Sequence, residues 1–259
     1  LDPKNVEAHD MKAERLAEMG RFDEAIAAAK PQQLGGDAPL VLQGRVAWVE
    51  AKRGNYAAAI APMQALVAVD PTYVWGWQQL AEWYNETNHS EGYLEAASEL
   101  VRLQPFHPVA FMMRGEAKIQ TGDRAGGKAD LREALKITPG FSHAAAVLFD
   151  AHLADLEIRE ARQALAVLQE HAAGPEVAVK QIQLAVKVNE PEAALRSFVE
   201  VCEGMGSSPY PLQMALNEMR DAGWEEKAVR AMRETWQGGG PFHPWVPLFW
   251  VESAEGEAA

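Results

Sequence analysis

The sequence predicts an all-α protein built as a solenoid of antiparallel helix pairs. Glycines at Gly20, Gly54 and Gly122 lie 34 residues apart or twice that distance, and Asn88 occupies the missing position. Four prolines keep the same step: Pro3, Pro71, Pro105 and Pro139. A fixed period of this length is typical of stacked helical hairpins, in which each repeat packs mainly on its neighbours.

On this frame the chain divides into seven repeats. They cover about 6–39, 40–73, 74–107, 108–141, 142–175, 175–208 and 209–242. Each repeat has an apolar-periodic first helix, a turn, and a second helix. Glycine suits the left-handed residue that ends a helix, and asparagine is its usual substitute. Residues 1–5 read as the end of a preceding repeat, so we expect the chain to be a piece of a longer polypeptide.

The C-terminal region departs from the repeat. Residues 242–251 are predicted to form a capping helix that covers the apolar face of the last repeat. Two alternatives are a segment that docks another domain and the start of an unfinished eighth repeat. The possible docking residues are Trp245, Leu248, Phe249 and Trp250. Residues 252–259 are acidic and small, and we expect a disordered tail there.

Composition narrows the classes of partner. The chain has 259 residues and a formal net charge of −13, which disfavours a nucleic-acid partner and favours a basic one. Its single cysteine, Cys202, excludes an internal disulfide and is expected to be a small core residue. No apolar run reaches the roughly 18 residues of a membrane span. We expect a cytoplasmic protein.

The turns and the packing positions resemble those of the tetratricopeptide repeat (TPR) family. Small residues recur where that family packs its two helices, as at Ala25, Ala59 and Ala81. The best single repeat is 74–107, which carries the family's preferred residues at Trp77, Leu80, Ala81, Tyr84, Leu100 and Pro105. The resemblance implies a right-handed superhelix whose first helices line a concave groove.

The same resemblance implies which side chains point into that groove. One column of positions is mainly acidic, and two tryptophans lie near its middle. The predicted partner-binding residues are Glu14, Trp48, Trp75, Gln78, Glu82, Asn85, Met112, Glu116, His143 and Asp150. Carboxylates on a concave surface focus negative potential, and tryptophan faces attract cations. We therefore expect a basic or extended partner segment. The alternative is the solvated acidic helix face of an acidic protein.

Two binding modes known in the family do not fit these residues. The clamp for chaperone carboxyl termini needs Lys, Asn and Arg, but its positions hold Asp10, Glu14, Gln79, Val109 and Met113. The asparagine ladder of the sugar-transferring members is also missing. No catalytic or metal motif was found, so we predict no enzyme activity and no cofactor. The leading hypothesis is a protein–protein interaction scaffold. The alternative is an accessory or targeting region of an enzyme, bound to a catalytic domain or subunit.

Overall fold

The protein is all-α in the part of the chain that the structure describes. The structure is a computed structural model that describes residues 5–32, 38–204, 208–239 and 241–256. Within those ranges there are fifteen α-helices and no strand. They are α1 (Val6–Glu18), α2 (Phe22–Ala29), α3 (Leu40–Lys52), α4 (Tyr56–Val69), α5 (Val74–Glu86), α6 (Ser90–Leu103), α7 (Pro108–Gln120), α8 (Arg124–Ile137), α9 (Ser142–Ala154), α10 (Ile158–His171), α11 (Pro175–Lys187), α12 (Pro191–Glu203), α13 (Tyr210–Asp221), α14 (Glu225–Gln237) and α15 (Val246–Gly256).

Consecutive helices pack as antiparallel pairs, which confirms the predicted fold class. The chain separates into two compact units, Leu1–Ile137 and Thr138–Ala259. The N-terminal unit contains the pairs α1/α2, α3/α4, α5/α6 and α7/α8. The C-terminal unit contains α9/α10, α11/α12 and α13/α14, followed by α15, which packs on α14.

The hairpin turns explain the sequence period. Gly20 has a φ of 74°, and its N–H donates to the Ala17 carbonyl at 2.9 Å. The next N–H, from Arg21, reaches back to the Leu16 carbonyl at 2.8 Å. These two bonds satisfy carbonyls that the ending helix leaves open. A left-handed residue occurs at the same place in all seven described hairpins: Gly20, Gly54, Asn88, Gly122, Leu156, Asn189 and Gly223. The predicted role of Asn88 is confirmed.

Alanines at predicted packing positions are buried in each of the first three helix pairs. Ala25, Ala59 and Ala81 have no exposed surface, so the helix backbones approach closely there. Tyr93 occupies this position in the third repeat and is also buried. Its hydroxyl donates to Glu116 Oε2 at 2.8 Å, which gives the buried phenol a partner.

The C-terminal region differs from its prediction in extent. Helix α15 starts at Val246, later than the predicted capping helix, and continues to Gly256. Glu252–Gly256, which were assigned to a disordered tail, are therefore helical. The glutamate and alanine residues of this stretch are good helix formers. Residues 1–4 and 257–259 lie outside the described residues, so the preceding repeat and the end of the tail stay predictions.

Candidate partner-binding site

The predicted groove residues are divided between the two units. Eight of the ten lie on the first helices α1, α3, α5 and α7 of the N-terminal unit, which we call the first-helix face. His143 and Asp150 lie on α9 of the C-terminal unit. The two sets are therefore considered separately.

Arg45 of α3 organises the start of the first-helix face. It is only 9% exposed, and its Nε and Nη2 donate to the two carboxylate oxygens of Asp10 at 2.8 and 2.9 Å. Its Nη2 also lies 3.6 Å from Glu14 Oε2. Burial lowers the pKa of Arg45, but the hydrogen bond and charge of Asp10, together with Glu14, outweigh burial and raise it above its usual value. The negative charge of Glu14 is thus partly compensated within the chain.

The two tryptophans already contact cations of the same chain. The Arg45 guanidinium carbon lies 4.7 Å from the ring centroid of Trp48 and 5.5 Å from that of Trp75. The Lys52 ammonium lies 5.3 Å from the Trp48 centroid. Both distances to Trp48 are within the range of a cation–π contact. Trp48 and Trp75 were predicted to attract a partner's cation, and the structure instead shows the chain's own cations beside them.

Tyr73 belongs to the same group of residues around Arg45. Its ring centroid is 5.8 Å from that of Trp75, and its hydroxyl is buried with no hydrogen-bond partner among the described residues. Burial and the nearby charge of Asp10 raise the pKa of Tyr73 to about 12. The cluster around Arg45 is therefore a packed polar and aromatic assembly that ties α1, α3 and α5 together.

Glu82 differs from Glu14 in its surroundings. It is exposed and accepts hydrogen bonds from Gln78 Nε2 and Gln79 Nε2, both at 3.1 Å. Both donors are neutral amides, so neither hydrogen bond brings a positive charge to the carboxylate. Asn85 Oδ1, one turn further along α5, accepts from Gln120 Nε2 of α7 at 2.8 Å.

The α7 residues of the prediction are less accessible. Met112 is 6% exposed, so it offers almost no contact area to a partner and does not belong to an open groove. As an apolar side chain, it gains from the burial that its face of α7 provides. Glu116 is partly buried and accepts the Tyr93 hydroxyl. Burial first, and then the charge of Glu116, raise the pKa of Tyr93.

In the C-terminal unit, the acidic residue of the column is paired. Both carboxylate oxygens of Asp150 accept from Lys180 Nζ, at 2.6 and 2.9 Å. His143 is exposed, with its ring centroid 6.4 Å from that of Phe141. Asp150 therefore contributes less free negative charge than its position in the sequence predicted.

A cavity of about 270 Å³ lies between α3 and α5 in the N-terminal unit. Its lining includes Trp48, Lys52, Tyr56, Glu82, Trp83 and Glu86. Glu82 and Trp48 are among the predicted binding residues, whereas Lys52, Tyr56, Trp83 and Glu86 are not. Tyr56 begins α4, a second helix, and so lies outside the first-helix positions, whereas Lys52 lies at the end of α3, 34 residues before Glu86.

The predicted docking segment has two different faces. Phe249 and Trp250 pack against the buried core of the C-terminal unit, and the Trp250 ring lies 4.9 Å from that of Trp236. Trp245 and Leu248 remain 36% and 46% exposed. Phe249 and Trp250 therefore pack on the last helix pair, while Trp245 and Leu248 keep part of their surface exposed.

The preceding loop holds this helix in place. His243 is fully buried, and its backbone N–H donates to the Cys202 carbonyl of α12 at 2.6 Å. Cys202 is itself a buried free cysteine, as predicted for a core residue.

Within the described ranges, no helix is long and apolar enough to cross a membrane. The same ranges contain no group of three or more His, Cys, Asp or Glu residues placed to hold a metal ion.

Comparison with known proteins supports the fold. No family model matches the sequence. The TPR repeat-containing protein YpiA of Bacillus subtilis (strain 168) is 27% identical over 139 residues, which are 54% of this chain and 33% of that protein. The similarity thus spans about a third of the length of this curated relative.

Solved structures of TPR proteins superpose on the chain. A tetratricopeptide repeat protein from Parabacteroides merdae ATCC 43184 has a TM-score of 0.72 at 13% identity and covers 96% of this chain and 98% of its own. PilF of Pseudomonas aeruginosa has a TM-score of 0.64 at 14% identity, with coverage of 76% and 90%. A thermophilic TPR protein of Thermus thermophilus has a TM-score of 0.51 at 20% identity, with coverage of 71% and 99%. At these identities the likeness shows a shared fold.

Proposed function

We propose that this chain, which has the fold of the tetratricopeptide repeat proteins, is a non-catalytic protein–protein interaction scaffold. Its first-helix face binds a basic or extended segment of a partner protein. A repeat fold favours this function because it displays a long surface rather than enclosing a reaction site.

The observation that carries the proposal is the state of Glu82. Its carboxylate is exposed and accepts only neutral amide donors. Glu86 is exposed one turn further along α5, and neither glutamate has an ion-pair partner among the described residues. Glu14, by contrast, shares Arg45 with Asp10. The uncompensated negative charge of this face is therefore concentrated on α5, where it attracts a cationic segment.

Charge reversal on this face tests the proposal. The probe is a fluorescein-labelled nine-residue peptide in which arginine and lysine alternate with serine, and binding is measured by fluorescence anisotropy. We expect Glu82→Lys/Glu86→Lys to weaken binding by about tenfold or more, since like charges across an interface cost several kcal/mol.

The matched control reverses two exposed charges on the second helix of the same pair. Glu91 and Glu95 of α6 have the i, i+4 spacing of Glu82 and Glu86. Glu91→Lys/Glu95→Lys should leave binding within about twofold, because these residues lie off the first-helix face. An equal loss in both variants would show attraction to an acidic protein as a whole and would contradict a specific face.

A second candidate function rests on the exposed side of the C-terminal segment. Leu248 of α15, and Trp245 immediately before that helix, are large, apolar and exposed. Exposed apolar patches mark interaction surfaces, so this face could attach the chain to a catalytic domain or subunit as an accessory or targeting region. Co-purification of one stoichiometric enzyme with the wild type, lost in a Leu248→Asp variant, would favour this function over the first.

A further inference from the structure

We propose that the cavity between α3 and α5 is a pocket for a single arginine side chain of the partner, and that this arginine displaces Lys52 from the face of Trp48. The inference rests on the proposed function and names the group that the first-helix face recognises. The name "arginine pocket" is used below for this cavity.

The size of the cavity suits one side chain. Its volume is about 270 Å³. Sites that hold a whole small molecule enclose about 300–1,000 Å³. The arginine pocket is therefore below that range, and a long, thin side chain projecting from an extended segment matches it better than a free ligand.

The lining offers both kinds of contact that a guanidinium uses. Glu82 and Glu86 are four residues apart, so their carboxylates lie on one face of α5, while Trp48 and Trp83 supply aromatic surface. A guanidinium is planar, stacks on aromatic rings and donates to carboxylates in a fork, whereas an ammonium is a compact, strongly hydrated charge. This combination favours arginine over lysine.

The protein itself shows that Trp48 accepts a guanidinium. The Arg45 guanidinium carbon lies 4.7 Å from the Trp48 centroid, closer than the 5.3 Å of the Lys52 ammonium. Arg45 is held there by two hydrogen bonds to Asp10 and is buried. Arg45 is therefore a fixed neighbour of the Trp48 ring rather than an exchangeable ligand.

Lys52 is held far more weakly. It is exposed, and its contact with Trp48 is its one interaction with a charged or aromatic group among the described residues. With Glu82 and Glu86, the pocket carries two negative charges against this single positive charge. A partner arginine can take the place of Lys52 and still leave the pocket without excess positive charge.

The test follows the tryptophan indole N–H signals by ¹H–¹⁵N NMR. The chain has 8 tryptophans, and Trp48→Phe and Trp83→Phe variants assign the two pocket signals. The probes are N-acetyl-arginine amide, N-acetyl-lysine amide and the neutral isostere N-acetyl-citrulline amide. Arginine amide should shift both pocket signals in a saturable way, lysine amide should bind more weakly, and citrulline amide should have no effect.

Three variants sharpen the result. Glu82→Gln/Glu86→Gln should abolish the shifts, and Glu91→Gln/Glu95→Gln on α6 should preserve them. Lys52→Gln should tighten arginine amide binding about two- to fivefold, because the internal competitor for the Trp48 face is gone. Unchanged or weaker binding by Lys52→Gln would overturn the displacement of Lys52.

The outcomes separate this inference from the proposed function. If the basic nine-residue peptide binds and depends on Glu82 and Glu86, while arginine amide leaves the Trp48 and Trp83 signals unmoved, the arginine pocket is wrong and the scaffold function stands. Equal responses to arginine and citrulline amides would also overturn the pocket, because they would exclude charge recognition. If the wild type does not bind the basic peptide at all, the proposed function is wrong whatever the indole signals show.

Discussion

Arg45 donates to both carboxylate oxygens of Asp10, at 2.8 and 2.9 Å, across 35 residues of sequence. The pair joins the first helices of two consecutive hairpins, α1 and α3. Because the same guanidinium lies over Trp48 and Trp75, one buried cation links an acidic residue of α1 to aromatic residues of α3 and α5. The beginning of the first-helix face is therefore a structural junction, and the free negative charge lies further along, on α5.

The Asp10–Arg45 pair should stabilise the N-terminal unit. Asp10→Asn removes the charge that compensates a buried guanidinium, and we expect a loss of about 1.5–3 kcal/mol in the free energy of unfolding. Urea unfolding followed by circular dichroism measures this loss. Glu7→Gln, on the exposed side of the same helix, should leave the urea midpoint unchanged; an equal effect of both substitutions would contradict a specific role for the pair.

Leu156 is in a backbone conformation that does not suit it. It is the left-handed residue of its turn, with a φ of 58°, and the residue is 67% exposed. Asparagine tolerates this conformation at lower cost, so Leu156→Asn should raise the free energy of unfolding by about 0.5–1 kcal/mol. Thermal unfolding of the variant and the wild type shows whether the substitution raises or lowers the stability.

The reverse substitution in the next hairpin is the matched control for Leu156. Asn189 has a φ of 56° at the equivalent position, so Asn189→Leu should destabilise the protein by a similar amount. A gain in stability from Asn189→Leu would show that burial of apolar surface, rather than backbone conformation, decides these positions.

Asp130 should make the free energy of unfolding depend on pH. It accepts from Arg114 Nε and Nη2 at 2.7 Å and lies 2.8 Å from Lys118 Nζ. Burial raises the pKa of Asp130, but these hydrogen bonds and charges outweigh burial and lower it below its ordinary value. Since the folded-state pKa is lowered, the stabilisation is present above the unfolded-state value of about 4 and is lost as the pH falls through the folded-state value.

Asp130→Asn should therefore cost about 1.5–3 kcal/mol of unfolding free energy near neutral pH and progressively less in acid. Urea midpoints of variant and wild type at about pH 7 and about pH 3 test the convergence. Glu133→Gln breaks an exposed pair with Lys136 and should have little effect at either pH. A difference for Asp130→Asn that does not shrink in acid would contradict the charge-based account.

The Cys202 thiol should be unreactive in the folded protein. It is completely buried, and burial raises the pKa of its thiol to about 12. The thiolate is the reactive form, so Ellman's reagent should not react with the native chain but should react with one thiol per chain in denaturant. Rapid reaction under native conditions would show that the loop at His243 and α15 opens to expose α12.

The helices and their turns were predictable because both depend on local interactions. A left-handed residue every 33 or 34 positions is visible in most of the sequence because glycine and asparagine tolerate that conformation. The turn at Leu156 has neither residue, and only its place in the period marks it. The prediction for the tail was wrong for Glu252–Gly256, since composition alone did not reveal the continuation of α15.

The amino-acid sequence by itself determined the repeat, the hairpin turns and the acidic, tryptophan-containing character of the first helices, because each depends on residues close together in the chain. Tertiary structure decided which of those charges remain free. Arg45 pairs with Asp10 of the preceding hairpin, and Lys180 pairs with Asp150 of the hairpin that precedes its own. Met112 is buried. Such pairings depend on how one helix is rotated against another, and no spacing within a single helix specifies that rotation.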